Sequence, residues 1–287
     1  MSPGLSPFCL VPFYSAPCGI MPGGKGIFMK KNPRPAVPAL ALCLALLALR
    51  VVDLLFFTDP ATGFVTAGPA WLRWAVPMGA SVLLWLLGCL LPRDAVPHAT
   101  PAQGAALLAA GAFFAVSGLT GLADLPQALL ALAAGGWCLC FGVRLLRGSV
   151  RLLRGSVRPL PAAWCLPVLV PELWALVRQF SVVPASTARL QCTYRVLGGA
   201  AALLLLCALF KLLFAPGTPC GRLAFRCGMA ALLLCTCHEA PQAVYGLTHG
   251  LCGLSRAAFS LGQGALGLCG LAMAYSSGPA QNSDKNT

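Results

Sequence analysis

Eight apolar stretches follow one another along this chain, each near the roughly 20 residues that an α-helix needs to cross a bilayer. They cover residues 36–57, 70–91, 104–123, 127–143, 160–177, 196–214, 222–237 and 251–274. No other feature restricts the fold so strongly. With 58% hydrophobic and 9% charged residues and a mean hydropathy of +0.81, the chain is far too apolar for a soluble domain, in which about a quarter of residues are charged. It reads as an all-α, polytopic transmembrane bundle of eight spans. If 160–177 lies along the membrane surface or re-enters, the count becomes seven.

Orientation rests on Val143–Leu160, VRLLRGSVRLLRGSVRPL, in which the heptapeptide VRLLRGS occurs twice and begins a third time. It sets Arg144, Arg147, Arg151, Arg154 and Arg158 between two apolar halves, and basic loops stay on the cytoplasmic side. Lys30, Lys31 and Arg34 place the amino terminus on the same side. The opposite connections 58–68, 124–126 and 238–250 then contain no Lys or Arg. One blemish remains, because Arg178, Arg189 and Arg195 fall on the outer side of an eight-span arrangement.

The organisation expected is a tail over 1–28, disordered or upstream of a true start at Met29; a half with four spans over 29–143; a basic cytoplasmic loop over 144–159; a second half over 160–275; and a disordered tail over 276–287. If the arginine repeat is helical, its steps of 3, 4, 3 and 4 put the five arginines on one face, suited to anionic lipid headgroups or an acidic partner. The other reading is a duplicated loop that fixes orientation. The net charge of +13 does not point to nucleic acid, since no zinc-finger spacing or stacking-aromatic motif accompanies it.

Residues 160–234 contain Pro171-Glu172-Leu173-Trp174-Ala175-Leu176, an apolar helix ending in Ala208-Leu209-Phe210-Lys211, and Arg222-Leu223-Ala224-Phe225 opening another. This pattern resembles uncharacterised multi-pass membrane proteins of clostridial-type bacteria. The resemblance implies a bacterial cytoplasmic membrane and carries no activity.

Ionisable residues inside spans are expensive, about 2.5 to 3.5 kcal/mol each at a helix centre on insertion scales, and are candidates for function. Arg50 and Asp53 are three apart on one face, where they can pair and line a polar pathway, or reach out to the interface. Glu172 follows Pro167 and Pro171, whose missing N–H groups leave carbonyls unpaired near a carboxylate, as in cation or proton sites of broken transporter helices. Its other reading is a tie to Arg178 or Lys211.

Catalytic signatures are missing. His238-Glu239 lacks the second histidine of a zincin, and its Pro241 should break the helix such a motif needs. Cys235, Cys237 and His238 lack the paired spacing of a structural zinc site. The 15 cysteines lie mostly inside apolar runs and read as packing residues. No cofactor or metal is expected, and no enzyme. The expected role is sensing, scaffolding or assembly with a protein partner or a second copy of the chain. A small-solute or ion transporter using Glu172, Arg50 and Asp53 is the alternative.

Overall fold

A computed structural model describes residues 35–92, 95, 97–148, 162–180, 190–214 and 218–276, and every regular element among them is helical. In order these are α1 (Ala36–Phe56), α2 (Ala70–Cys89), α3 (Pro101–Thr120), α4 (Leu125–Gly148), α5 (Leu166–Phe180, after a 3₁₀ turn Ala162–Cys165), α6 (Leu190–Phe214), α7 (Gly221–Ala231), a π-helical segment (Leu232–Glu239), α8 (Ala240–Thr248) and α9 (Leu254–Ser276). Among the described residues, seven helices are long and apolar enough to cross a membrane, with α7, the π segment and α8 forming one continuous rod, Gly221–Thr248. The chain is an integral membrane protein of the multi-pass kind.

The eighth candidate, α5, has only 15 residues. At 1.5 Å per residue it extends about 22 Å, short of a hydrocarbon core of about 30 Å. It nevertheless travels between the two ends of the bundle. Cys165 lies near Cys207 of α6, Leu176 packs on Gly199, and Arg178 pairs with Asp124 in the α3–α4 connection. Among the described residues, seven helices are long enough to span and α5 is a shorter eighth packed among them. Arg178 and Arg195 do lie at the end that the sequence reading left free of basic loop residues.

Residues 238–250, expected as a loop, are helical as far as Thr248. Pro241 was expected to break this stretch, and the π segment explains why it does not. The Ala240 N–H donates to the Cys235 carbonyl, five residues back, so the widened turn ends where proline enters the first turn of α8 and no N–H is needed. The fourth span likewise runs past Val143, through Arg144, and carries Arg147 in its last turn. Arg151, Arg154, Arg158, Arg189 and the expected tails 1–28 and 276–287 lie outside the described residues, apart from Ser276, which ends α9.

At one end of the bundle the Gly221 N–H donates to the Ala95 carbonyl at 2.8 Å and Arg222 Nε to the Leu91 carbonyl at 2.6 Å. Here Thr100 and Gln103 cap α3 reciprocally, with Pro101 in the first position, and the Gln103 amide reaches Ser276 at 3.4 Å. The other end carries 57–66, 120–127 and 249–256.

Glycine sets how closely the helices approach. Gly104, Gly111 and Gly118 of α3, one every seven residues, face Gly142, Gly135 and Ala128 of the antiparallel α4. A methyl group on Gly111 would come within 2.9 Å of the Gly135 carbonyl oxygen and 2.8 Å of Leu139. Gly228 and Gly270 bring α7 and α9 together in the same way, a Cβ on Gly228 lying 2.3 Å from the Gly270 carbonyl oxygen. Small residues replace the hydrophobic driving force that lipid removes. The last helix is central: 72% of its apolar window is buried, against 22% for α1 and for α2, whose outward faces are apolar and suited to lipid.

Candidate functional site: a polar cavity backed by buried acids

At the end formed by 57–66, 120–127 and 249–256, the helices part around a cavity of about 1000 Å³. Its wall on α9 is a polar stripe, Arg256, Ser260 and Gln263, at steps of four and three residues and therefore on one helix face. Facing it are Arg195 and Gly199 of α6, Arg178 and Gln179 of α5, and Gln242 and Gly246 of α8. The loop after α1 completes the wall with Thr58 and Thr62–Val65. That loop is fixed by an antiparallel bridge between Thr58 and Val65, by Asp59 accepting from the Ala61 N–H at 3.1 Å, and by the Tyr245 hydroxyl donating to the Thr58 carbonyl at 3.1 Å. Gly63 supplies the left-handed residue of the turn, φ 69°. Hydrogen bonds from Thr62 and Ala61 hold the exposed Asp59 carboxylate below its usual pKa.

Two acids are buried behind the α9 stripe. Gln263 Nε2 donates to Glu172 Oε2 at 2.8 Å, and Glu172 Oε1, fully buried, has no hydrogen-bond partner among the described residues. Cys138 of α4 and Cys235 of the π segment are its near neighbours. Glu239 lies beside Ser260 and Arg195 and packs on Gly198, where a Cβ would meet its Cγ at 3.2 Å. Each acid thus stands one α9 side chain behind the cavity, Glu172 behind Gln263 and Glu239 behind Ser260. Glu172 is not tied to Arg178 or Lys211 as the alternative reading had it; Arg178 instead pairs with Asp124.

Arg50 and Asp53 do pair, at 2.8 Å, but they do not stretch out to the interface. Asp53 also binds Arg73 of α2 at 2.6 Å, and Arg50 Nη2 donates to Gln242 Oε1 at 2.6 Å. Their side chains are 10% and 18% exposed, so the pair is a clasp between α1, α2 and α8. At the start of α2, Trp71 is 67% exposed, whereas Arg73 turns inward and Trp74 stacks on Tyr194 at 5.1 Å. The Tyr194 hydroxyl donates to the Arg73 carbonyl, and His238 stacks on the Tyr194 ring at 4.6 Å. Arg50 both belongs to this clasp and lines the cavity.

The structure brings Arg50 and Asp53 together and sets Glu172 apart from them on α5. Gln263, Ser260, Glu239, Arg195 and Gln242 are site residues that the sequence reading missed. A signal existed for the first two, polar residues three apart in an otherwise apolar, glycine-rich helix. Glu239 and Gln242 were hidden by assigning 238–250 to a loop. Cys235, Cys237 and His238 diverge: the Cys235 thiol donates to the Gly198 carbonyl at 3.2 Å, Cys237 packs by Cys43, and His238 joins the aromatic stack. No cluster of three or more metal-ligating side chains occurs among the described residues. Set beside known proteins, the chain matches no family model, no curated protein and no solved structure.

Proposed function

We propose that the chain is a non-enzymatic transporter of a small polar solute in a bacterial cytoplasmic membrane, with the cavity as its entry site. The observation that carries this reading is the layered arrangement of solvent-sized space, α9 polar stripe and buried acids. An uncompensated carboxyl oxygen deep in a membrane bundle is costly, and such groups mark ion, proton or substrate pathways. Gln263 lines the cavity and donates to Glu172, so a change at the cavity floor alters the hydrogen bonding of Glu172 directly. The π segment, which carries Glu239, is a feature often found at functional sites.

The bacterial setting follows from the resemblance of 160–234, and amino-terminal and arginine-repeat charge support a cytoplasmic amino terminus. A component that senses or assembles partners would use the same cavity to bind without passing solute. Proteoliposomes separate the two. Vesicles containing the full chain should re-swell faster than empty vesicles with at least one class of small polar solute, and Glu172→Gln should abolish the excess rate. Wild-type vesicles no more permeable than empty ones to neutral, anionic and cationic solutes alike would overturn the transporter reading and favour sensing or assembly.

A further inference from the structure

Taking the cavity as a solute site, as the proposed function does, we infer that its ligand is a small soluble anion whose carboxylate or phosphate oxygens are held by Arg195 and Arg256. Four arginines line the cavity and no lysine does, while Asp124 is the one acid in the lining. Two of the four guanidinium groups are already engaged, Arg178 with Asp124 and Arg50 with Asp53 and Gln242. Arg195 and Arg256 have no acid within ion-pair distance among the described residues.

Arg195 Nε is also buried without a hydrogen-bond partner. Leaving a buried charged donor unmet is costly, and an oxyanion in the cavity would remove that cost. The planar fork of a guanidinium suits carboxylate and phosphate, to whose oxygens it can donate paired hydrogen bonds. The remaining polar lining is of hydroxyls and amides, Ser117, Thr120, Gln127, Ser255 and Gln263 among them, groups that can bind either end of a hydrogen bond. A cationic solute would instead meet Arg195 and Arg256, the two cavity guanidinium groups with no ion pair among the described residues, while Asp124, the acid of the lining, is already engaged by Arg178.

The probes are inorganic phosphate and succinate, added to the full-length chain in detergent while thermal unfolding is followed, with chloride at matched ionic strength, choline and glycerol as comparisons. Phosphate or succinate should raise the unfolding temperature saturably, and the comparison solutes should not. Arg256→Gln and Arg195→Gln should each weaken the fitted affinity at least roughly tenfold, as expected for loss of a charge-assisted hydrogen bond. Arg195→Lys keeps the charge and should retain part of it. Arg256 is exposed and lies outside the clasp, so its variant tests the inference even if Arg195→Gln fails to fold. Stabilisation by choline or glycerol alone, an effect equalled by chloride, or indifference to both substitutions would overturn the inference. So would stabilisation by an anionic phospholipid with none from either soluble anion. Because binding is read here without flux, anion binding with impermeable vesicles would remove the transporter reading and leave the anion site, whereas flux of a neutral or cationic solute would do the reverse.

Discussion

The α3–α4 seam and the cavity are both places where helices of one bundle face each other, yet they are built on opposite principles. In the seam, glycine or alanine meets backbone at every second turn, and a methyl group added at Gly104, Gly111 or Gly118 would collide with a carbonyl oxygen. Around the cavity the facing positions hold Arg, Gln and Ser, and space remains between them. Packing in lipid is driven by close van der Waals contact, so a bundle that can close its helices this tightly has no packing reason to hold α5, α6, α8 and α9 apart around polar side chains. The difference teaches that the cavity is maintained by polar groups whose cost is met elsewhere, by seams such as this one and by the Arg50–Asp53–Arg73 clasp.

The sharpest way to break the contrast is in the seam. Gly111→Leu should destabilise the chain by about 3 kcal/mol or prevent folding, since the obstacles include backbone that cannot turn aside. Gly136→Ala, with nothing near its Cβ position, should be neutral or stabilising by up to about 1 kcal/mol. Thermal unfolding in detergent reads both, and equal effects would refute the assignment of the seam.

Next in size is the clasp. Arg50→Ala leaves Gln242 Oε1 without its donor and Asp53 with Arg73 alone, and should cost about 1.5 to 3 kcal/mol, the range for hydrogen bonds to charged groups. Arg256→Ala, at the cavity, should stay within about 0.5 kcal/mol, as for surface substitutions. A similar cost for both would mean that cavity arginines are structural. Glu172→Gln should preserve the bond to Gln263 in shape and shift stability by less than about 1 kcal/mol while removing transport.

The smallest effect is electrostatic. The hydrogen bond from Arg178 holds the Asp124 carboxyl below the ordinary carboxylate range. A group whose folded pKa is depressed stabilises fully above its unfolded pKa, and this contribution disappears as pH falls through the folded value. Stability followed through the acidic range should therefore lose part of its pH dependence in Asp124→Asn. An unchanged acid limb would show that the pair, exposed on both sides, contributes nothing measurable.

Much of the architecture was legible because lipid demands it. Long apolar runs have one solution in a bilayer, and their ends were marked by Pro, Asp and Thr at the connections. The weak fifth run, with three prolines, was recognisable as different, and it is the short α5. What escaped was tertiary. Pro241 ordinarily ends a helix, and only a π turn packed against α9, with Thr236 Oγ1 donating to the Gly264 carbonyl at 2.6 Å, carries the chain across it. The partner of Glu172 lies 91 positions away at Gln263, and no local spacing announces a neutral amide as the partner of an acid. Arg50 and Asp53 were found by their i,i+3 spacing, whereas Arg73 and Gln242, which bury them, come from other helices.

The proposed function requires that water and solute reach α9 through the cavity while the helices nearby are closed. It can be tested in a background with the 15 native cysteines replaced, using a small membrane-impermeant thiol reagent on the reconstituted chain. Ser260→Cys, in the cavity wall, should react, and Ala110→Cys, on the fully buried side of α3, should not. A protected thiol at position 260, or one no faster than at position 110, would contradict the account.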